Sequence, residues 1–482
     1  MNYFKINKLP SVITPLAAAV LLAACAAIPP DSASLPQRNL AGVQLAAGIK
    51  LAHDGWPQAR WWTRYHDAQL DGLIDAALRD APSLATAATR VRSAETTVMA
   101  QHAAEGVNVT ADAAVNRQHY SANGLFPPPI GGAWYTDYTA NLRASYDFDF
   151  WGKQRSAIAA AVGEVNAAKA DQAQAEQVLA ASVAQTYFQL QSDWARLALL
   201  RQQRDAQLAL NALRKHRVDA GLDPITSRQA VQVDLASTDR QIAALDSRAQ
   251  QTREALRALL GADAQALKDL HAQALPKVES SAPSALGFEL LAHRPDLQAA
   301  RWRVEANLSK IDAAKAAFYP NIEITGSAGL DSISAGDLLN WESRAISLIP
   351  SISLPIFDSG RLSAQLGAKR AKRDEAIADY NQAIVNAVRD VAQQIIALQG
   401  VSAQQRAQAE GQRAADAQLA AAEARLKRGL VDRSATLQAQ MAVLAQRDMA
   451  LQLQQARLDG DVALIKSLGG GYQAGDPIAQ TE

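Results

Sequence analysis

The sequence predicts a mainly α-helical chain with a β-barrel portion, in which several copies share one tube. Three observations support this fold class: the chain is internally duplicated, each repeat holds a pair of amphipathic strands, and each repeat holds a very long helix without proline. The composition agrees, because the abundant Ala, Leu, Gln and Arg side chains lose little rotamer freedom in a helix.

The duplication consists of short sequence matches that recur in the same order along the chain. Segments of the first repeat correspond to segments of the second as follows: 81–84 with 294–297, 107–109 with 320–322, 150–155 with 356–361, and 217–222 with 425–430. Each repeat is therefore predicted to run helix, strand, strand, very long helix, turn, helix.

The strands are predicted from alternating apolar and polar side chains at about 107–119, 135–148, 320–331 and 346–357. A period of two is typical of a strand with one apolar and one polar face. Each run has about the 10 residues that a tilted membrane-spanning strand needs. We expect Leu142 and Leu354 to face lipid, and Arg143 and Ser353 to face a lumen.

Four strands cannot close a barrel, since single-chain membrane barrels begin at about eight strands and an open edge in lipid would leave backbone groups unpaired. Several chains must share the barrel, and three chains would supply twelve strands. An ordinary soluble sandwich is disfavoured, because the strands come as two widely separated pairs. We expect Pro355 to end its strand and Pro350 to lie at a bulge.

The long helices are predicted at 151–217 and 359–427, which contain no proline. Apolar residues recur at alternating spacings of four and three, as at Val183, Tyr187 and Leu190, which is coiled-coil spacing. Such helices are roughly 100 Å long and must project away from the sheet. Each ends at a turn that holds Gly221 or Gly429, the usual residue just after a helix.

The charge and cysteine content exclude several classes of protein. The chain has 48 basic and 48 acidic residues, whereas a nucleic-acid partner would require a basic excess. It has one cysteine and seven scattered histidines, which argues against a disulfide framework or a metal site. We expect no catalytic residue, no metal and no cofactor beyond a covalent lipid.

That lipid is predicted at Cys25. Lys5 and Lys8 precede a short apolar stretch that ends in Leu-Ala-Ala-Cys, which resembles a bacterial lipobox. The cysteine would carry an S-diacylglycerol and an N-palmitoyl group that hold the mature N-terminus at a lipid surface. Ala26, rather than the aspartate of inner-membrane retention, follows it and indicates the outer membrane. An ordinary signal peptide with an incidental cysteine is the alternative.

The predicted organisation has six segments. They are a lipoprotein signal peptide (1–24), a lipid-anchored tether and equatorial segment (25–68), a first repeat (69–265), an equatorial linker (266–292), a second repeat (293–468) and a C-terminal tail (469–482).

Four motifs carry a resemblance to a known family. They are Trp61-Trp62-x2-Tyr65-x-Asp67-x2-Leu70, Tyr146-x-Phe148-Asp149-x-Trp151-Gly152-Lys153, Leu290-Leu291-x2-Arg294-Pro295-Asp296-Leu297 and Ala316-x-Phe318-Tyr319-Pro320-Asn321-Ile322. Because these motifs occur in this order in an internally duplicated chain, the sequence resembles the TolC/OprM-type outer-membrane efflux proteins, specifically the NodT-like lipoprotein branch. The resemblance covers nearly the whole mature chain.

This resemblance implies a homotrimer that forms a 12-stranded outer-membrane β-barrel, continued by a 12-helix periplasmic α-barrel. It implies a non-enzymatic exit duct for drugs and other small molecules in the outer membrane of a Gram-negative bacterium, with a periplasmic adaptor and an inner-membrane transporter as partners. The helix-turn tips would meet the adaptor. Their candidate residues are Arg217, Gly221, Leu222, Arg425, Gly429 and Leu430.

A constriction is expected just before the second tip, because a resting duct must be closed. Asp416, Leu419 and Glu423 fall on one helix face and are its candidates. A solvated outer helix face is the alternative for these residues. Two other protein classes remain open at this point: a structural coiled-coil envelope lipoprotein, which would lack the strand pairs, and an adaptor, which would carry β-sandwich modules.

Overall fold

The computed structural model describes residues 28–31, 33–38, 58–263, 265–278 and 293–472. Cys25 and the predicted signal peptide lie outside these residues. In chain order the elements are α1 (Ala68–Asp80), α2 (Pro82–Glu105), β1 (Asn108–His119), β2 (Trp134–Phe148), α3 (Lys153–Asp219), α4 (Ile225–Leu260), α5 (Pro295–Ala316), β3 (Asn321–Ser332), β4 (Arg344–Ser353), α6 (Arg361–Lys427) and α7 (Arg433–Ser467).

The two repeats have the same order of elements. Each has a helix, two strands, a helix of 67 residues and a shorter returning helix. At 1.5 Å per residue the long helices, α3 and α6, are about 100 Å long. An aspartate shortly before each long helix accepts a hydrogen bond from the backbone of its first turn: Asp149 from Arg155 N at 2.9 Å, and Asp358 from Leu362 N at 2.8 Å.

The strands form one antiparallel sheet in the order β1-β2-β3-β4. The register places Ala111, Leu142, Ala328 and Ile346 side by side in one row, and Thr110, Arg143, Ser327 and Ser347 in the next. Successive residues of a strand face opposite sides. The sheet therefore has one apolar and one polar face, as the alternation in the sequence predicts.

The fourth strand differs from the expectation in its position and end. It spans Arg344–Ser353 rather than 346–357, so Leu354 is not a strand residue and the prediction that it faces lipid from the strand is wrong. Pro355 follows the end of the strand, in accord with its missing N–H. Pro350 pairs with Ile324 without a bulge. The prediction of a bulge at this proline is therefore wrong.

The helices pack side by side along the chain's long axis. Helix α3 contacts α2, α4, α5 and α7, while α6 contacts α5 and α7. The main apolar core joins α1, α3, α4 and α7 around the fully buried Tyr187, Phe188 and Leu458. A second core joins α5, α6 and α7 and includes the buried Ile384 and Leu464. No helix in the described part of the chain is long and apolar enough to cross a membrane.

The aromatic motif at 61–65 closes the main core. Trp61, Trp62 and Tyr65 are buried, and the Tyr65 ring meets Phe188 edge to face at 5.0 Å. The Tyr65 hydroxyl donates to Asp461 on α7 at 2.7 Å. Asp67 caps α1 and accepts from the Tyr187 hydroxyl at 2.6 Å. These bonds fix the segment before α1 to α3 and α7.

The other motifs join the two repeats. The Trp151 ring stacks on Tyr319 with centroids 4.8 Å apart, and its Nε1 donates to Pro320 O at 2.8 Å. Arg294 is buried, pairs with Asp296 and donates to the carbonyl of Ser467 at the end of α7, 2.8 Å away. The motif residues therefore hold the joint between sheet and helices and the end of α7.

Candidate functional site: the helical tips and the sheet faces

The first tip is the turn between α3 and α4. Leu222 N donates to Arg217 O at 2.8 Å, and Gly221 N donates to Val218 O at 2.9 Å. Gly221 has φ of +73°, so the turn is a Schellman motif with glycine at the position that needs a left-handed backbone. This conformation agrees with the expectation from the sequence.

The second tip, between α6 and α7, repeats this geometry. Leu430 N donates to Arg425 O at 3.0 Å, Gly429 N donates to Leu426 O at 2.9 Å, and Gly429 has φ of +71°. Asp432 then begins α7 by accepting from Ser434 N at 3.0 Å. The two tips are thus built from the same local signals.

Charged side chains stiffen the first tip. Asp223 accepts from Arg217 Nε at 2.9 Å and from Arg214 Nη1 at 2.8 Å. These hydrogen bonds, that of Arg217 foremost, lower the pKa of the Asp223 carboxyl to about 2. The carboxylate therefore stays charged at any pH in which the protein functions, and the turn stays tied to the last two turns of α3.

Arg217 also joins the first tip to the second. Its Nη1 lies 3.3 Å from Oδ2 of Asp432. The pKa of Asp432 is lowered, chiefly by the hydrogen bond from the Ser434 hydroxyl and also by Arg217. From the sequence, Arg217 was expected to contact only the last helix carbonyls or the adaptor. Arg214 and Asp432 were missed, although Asp432 before an Arg-Ser-Ala run is a recognisable helix-start signal.

Each tip presents one large apolar side chain to solvent. Leu222 is 67% exposed and Leu430 is 68% exposed, at equivalent positions of the two turns. Arg425 lies one turn before and is exposed as well. Matching exposed leucines beside arginines are typical of a surface that binds a protein partner.

The constriction candidates lie in the last third of α6. Asp416 is exposed and accepts from Gln412 Nε2 on both carboxylate oxygens at 3.1 Å. Leu419 is half-buried, and Glu423 is exposed. These three residues stay a prediction as a constriction, because their exposure in one chain fits either face of the helix.

The sheet supplies the second functional surface. On the apolar face Leu142 is 58% exposed, Leu348 is 69% exposed and Ile346 is 80% exposed. Leucine and isoleucine side chains in a protein core are instead almost fully buried. The opposite face carries Asn141, Arg143 and Asp147. An exposed apolar face opposed by a polar one fits a strand layer between lipid and a water-filled lumen.

A strap, defined as residues 28–31 and 33–38, lies along α6. Ile28 packs with Phe318 and Leu366 near the start of that helix. Arg370 donates to the carbonyls of Pro29 and Pro30 at 2.7 and 3.0 Å, and the buried Arg373 pairs with Asp31 at 2.9 Å. Further along, Asn381 bonds to Arg38 N and Pro36 O. The first described residues after position 25 are therefore held beside the sheet end of α6.

No group of three or more acidic, histidine or cysteine side chains within the described ranges could hold a metal ion. The described residues instead form an open four-stranded sheet with one apolar and one polar face. Two linked tips lie at the other end of the long helices, about 100 Å away. They define one subunit of a membrane duct.

Comparisons with known proteins support the assignment to a membrane duct. The model of the family described as Outer membrane efflux protein matches residues 73–262 and again residues 286–470. The chain belongs to this family of outer-membrane efflux channels, which are not enzymes. Its membership excludes the two alternatives, a structural coiled-coil lipoprotein and an adaptor.

Relatives are similar over nearly their full length. The chain is 40% identical over 471 residues to the multidrug resistance outer membrane protein MdtP of Escherichia coli strain K12, covering 96% of each chain. Among solved structures it resembles the outer membrane protein VceC from Vibrio cholerae, with a TM-score of 0.78 and 30% identity over 87% of this chain and all of that one. The outer-membrane channel OprN gives a TM-score of 0.81 at 25% identity, over 92% and 99%. The predicted fold class, its internal duplication and the outer-membrane location are confirmed.

Proposed function

We propose that three copies of this chain close into one tube, the exit duct for drugs and other small molecules of a tripartite efflux system. The observation that carries the proposal is the open sheet. β1 and β4 each have one neighbour within the chain, and the exposed apolar face would lie in lipid. Pairing of β4 in one copy with β1 in the next satisfies both edges, and three copies give the twelve strands of a barrel.

The tips provide the surface for the partners. Six tips in a trimer, each with an exposed leucine and a neighbouring arginine, would meet a periplasmic adaptor that connects the duct to an inner-membrane transporter. The transporter supplies the energy. The duct contributes a polar path, and its opening is a movement of packed helices that partner binding favours.

Cross-linking tests the closure of the barrel. A cysteine at Ala114 on β1, which lies on the polar face beside Thr139, is combined in turn with cysteines at Ala345, Ser347 and Ile349 on the same face of β4. A cysteine at Thr139 on the central strand β2 replaces Ala114 as a control. We expect at least one edge pair to give covalent dimers and trimers in outer-membrane fractions, with none from the control. Monomers throughout would refute the shared barrel.

We further propose that Cys25 carries the S-diacylglycerol and N-palmitoyl groups. The strap supports this, because three residues span at most about 10 Å. An acyl chain at position 25 would therefore lie close to Ile28, beside the end of the sheet. The ion pair of Asp31 with the 5% exposed Arg373 side chain fixes that position.

Mass spectrometry of the mature N-terminal peptide tests the lipid. The wild-type peptide is expected to carry acyl groups and Cys25→Ser none, while trimers still assemble because the barrel is itself an anchor. An unacylated wild-type peptide refutes lipidation. Asp31→Ala is expected to keep the lipid and to expose the strap to protease, whereas Asp246→Ala, on α4, leaves the strap protected.

A further inference from the structure

A large cavity lies on the helical wall near the sheet. Its volume is about 990 Å³, and it is bordered by four helices in succession, α2, α3, α5 and α6. A single cavity that four neighbouring helices share is the geometry expected on the concave side of a helical wall. In a closed tube the concave side is the lumen.

The position of the strap agrees with this assignment. Leu366, Arg370 and Arg373 of α6 bind the strap, while Gln365 and Lys369 line the cavity. At about 100° per residue, the two sets point roughly a quarter of a turn apart around the helix. The strap and the cavity therefore face different directions from α6.

The cavity has one basic side chain from each of its four helices: Arg90, Lys153, Lys310 and Lys369. Within the described part of the chain, its only acidic lining residue is Glu164, which pairs with Lys310 at 2.6 Å. Among the described residues, no carboxylate lies within ion-pair distance of the other three cations. Each copy therefore adds three cations without a direct ion pair to this level of the wall, although Arg90 also attracts Asp171 at longer range.

The neighbouring cavities differ in charge. Towards the tips, the wall includes Arg303 and Lys372 together with Glu375 and Asp379, and Lys372 pairs with Glu375 at 2.6 Å. Towards the sheet, the adjoining cavity includes Glu105, Asp147 and Asp149 beside Lys153 and Arg361. The excess of positive charge is thus confined to one level of the wall between these two cavities.

The floor of this cationic cavity is apolar. It is formed by small side chains, among them Ala157, Ala160, Ala161, Ala313 and Ala314. Gln154 Nε2 donates to the carbonyl of Gln101 at 2.7 Å and holds α2 against α3 at its edge. Methyl groups below and cations at the rim match a ligand with an apolar body and a negative charge.

We propose that the cationic cavity binds organic anions in transit and makes the duct prefer anions. This inference rests on the proposed function, since only a closed tube has a lumen. The cations attract an anion electrostatically, and the alanine floor accepts its hydrocarbon part. The attraction is screened by salt, so the preference is strongest at low ionic strength.

Purified full-length trimers in planar bilayers test the preference. Reversal potentials are measured with sodium benzenesulfonate and with trimethylphenylammonium chloride gradients, for wild type and for the combined variant Arg90→Gln, Lys153→Gln and Lys369→Gln. We expect the variant to lower the anion-over-cation permeability ratio roughly threefold or more at low salt. Lys372→Gln, which removes a paired lysine at the next level, is the matched control and should leave the ratio unchanged.

Equilibrium dialysis of benzenesulfonate against detergent-solubilised trimers gives a second readout that does not need an open duct. Binding that is present in wild type and in Lys372→Gln but lost in the combined variant supports the cavity. Equal permeability ratios and equal binding in all three proteins overturn it while leaving the duct intact. Failure of the edge cysteines to cross-link would instead refute the tube itself.

Discussion

Arg217 near the end of α3 and Asp432 at the start of α7 form an ion pair between the two tips of one chain, with Nη1 3.3 Å from Oδ2. Both side chains are partly exposed, at 34% and 41%. Arg217 holds Asp223 in its own turn at the same time. The two tips are thereby linked, so that movement of one is resisted by the other.

Asp432→Asn is expected to loosen this link without unfolding the tip, because asparagine can still cap α7. An exposed ion pair contributes at most about 1 kcal/mol, so the open fraction of the duct should rise no more than about fivefold. Single-channel recording in planar bilayers measures it. Arg425→Gln is the control, because this tip arginine has no carboxylate partner among the described residues. An unchanged open fraction in Asp432→Asn would show that the link between the tips does not restrain opening.

Gly221→Val and Gly429→Val are expected to leave trimers assembled but to abolish efflux. No atom lies within 4 Å of a Cβ placed at either glycine, so the cost comes from positive φ alone and is roughly 1–2 kcal/mol per turn. Asparagine tolerates this backbone conformation, and Gly→Asn variants should retain function. Drug susceptibility and trimer yield are measured in the same cells. Full resistance of both valine variants at normal trimer levels would remove the tips from the mechanism.

Leu142→Arg and Ser145→Arg test the two faces of the sheet. Leu142 lies in the apolar row with Ala111 and Ala328, whereas Ser145 pairs with Asn108 and Thr325 on the polar face. Arginine on the lipid face near the midplane should cost about 2–4 kcal/mol and lower the yield of trimers. Arginine at 145 should assemble normally and change conductance. Equal yields of the two variants would mean that the faces are assigned incorrectly.

Asp459 on α7 gives the folded state a pH dependence. Burial raises the pKa of its carboxyl to about 6, and Gln455, 3.4 Å from Oδ2, only partly offsets this. Because the folded pKa exceeds the unfolded value of about 4, this carboxyl contributes most to stability below pH 4, and the contribution is lost as the pH rises through 6.

Asp459→Asn should therefore raise the melting temperature of the trimer by a few degrees at pH 8 and change it little at pH 4. Circular dichroism at the two pH values measures the effect. Asp448→Asn is the control, since Asp448 pairs with Arg196 at 2.7 Å and its replacement should destabilise the protein at pH 8. A lower melting temperature for Asp459→Asn at pH 8 would show that Asp459 is ionised and paired in the trimer.

Local patterns determined much of this protein from sequence alone. Alternation with a period of two gave both faces of the sheet, and the glycine after each long helix gave two turns with positive φ. These features depend on residues that are neighbours in the chain, so their backbone preferences and side-chain order are sufficient to define them.

Only the tertiary structure decided which distant residues meet. Arg217 and Asp432 are 215 positions apart, and the four cations of the cavity come from four helices. The end of β4 at Ser353, four residues before the expected position, was likewise set by pairing with β3. Such contacts depend on how helices and strands pack and on their register. Periodicity places a residue on a face, but packing and register determine what that face meets.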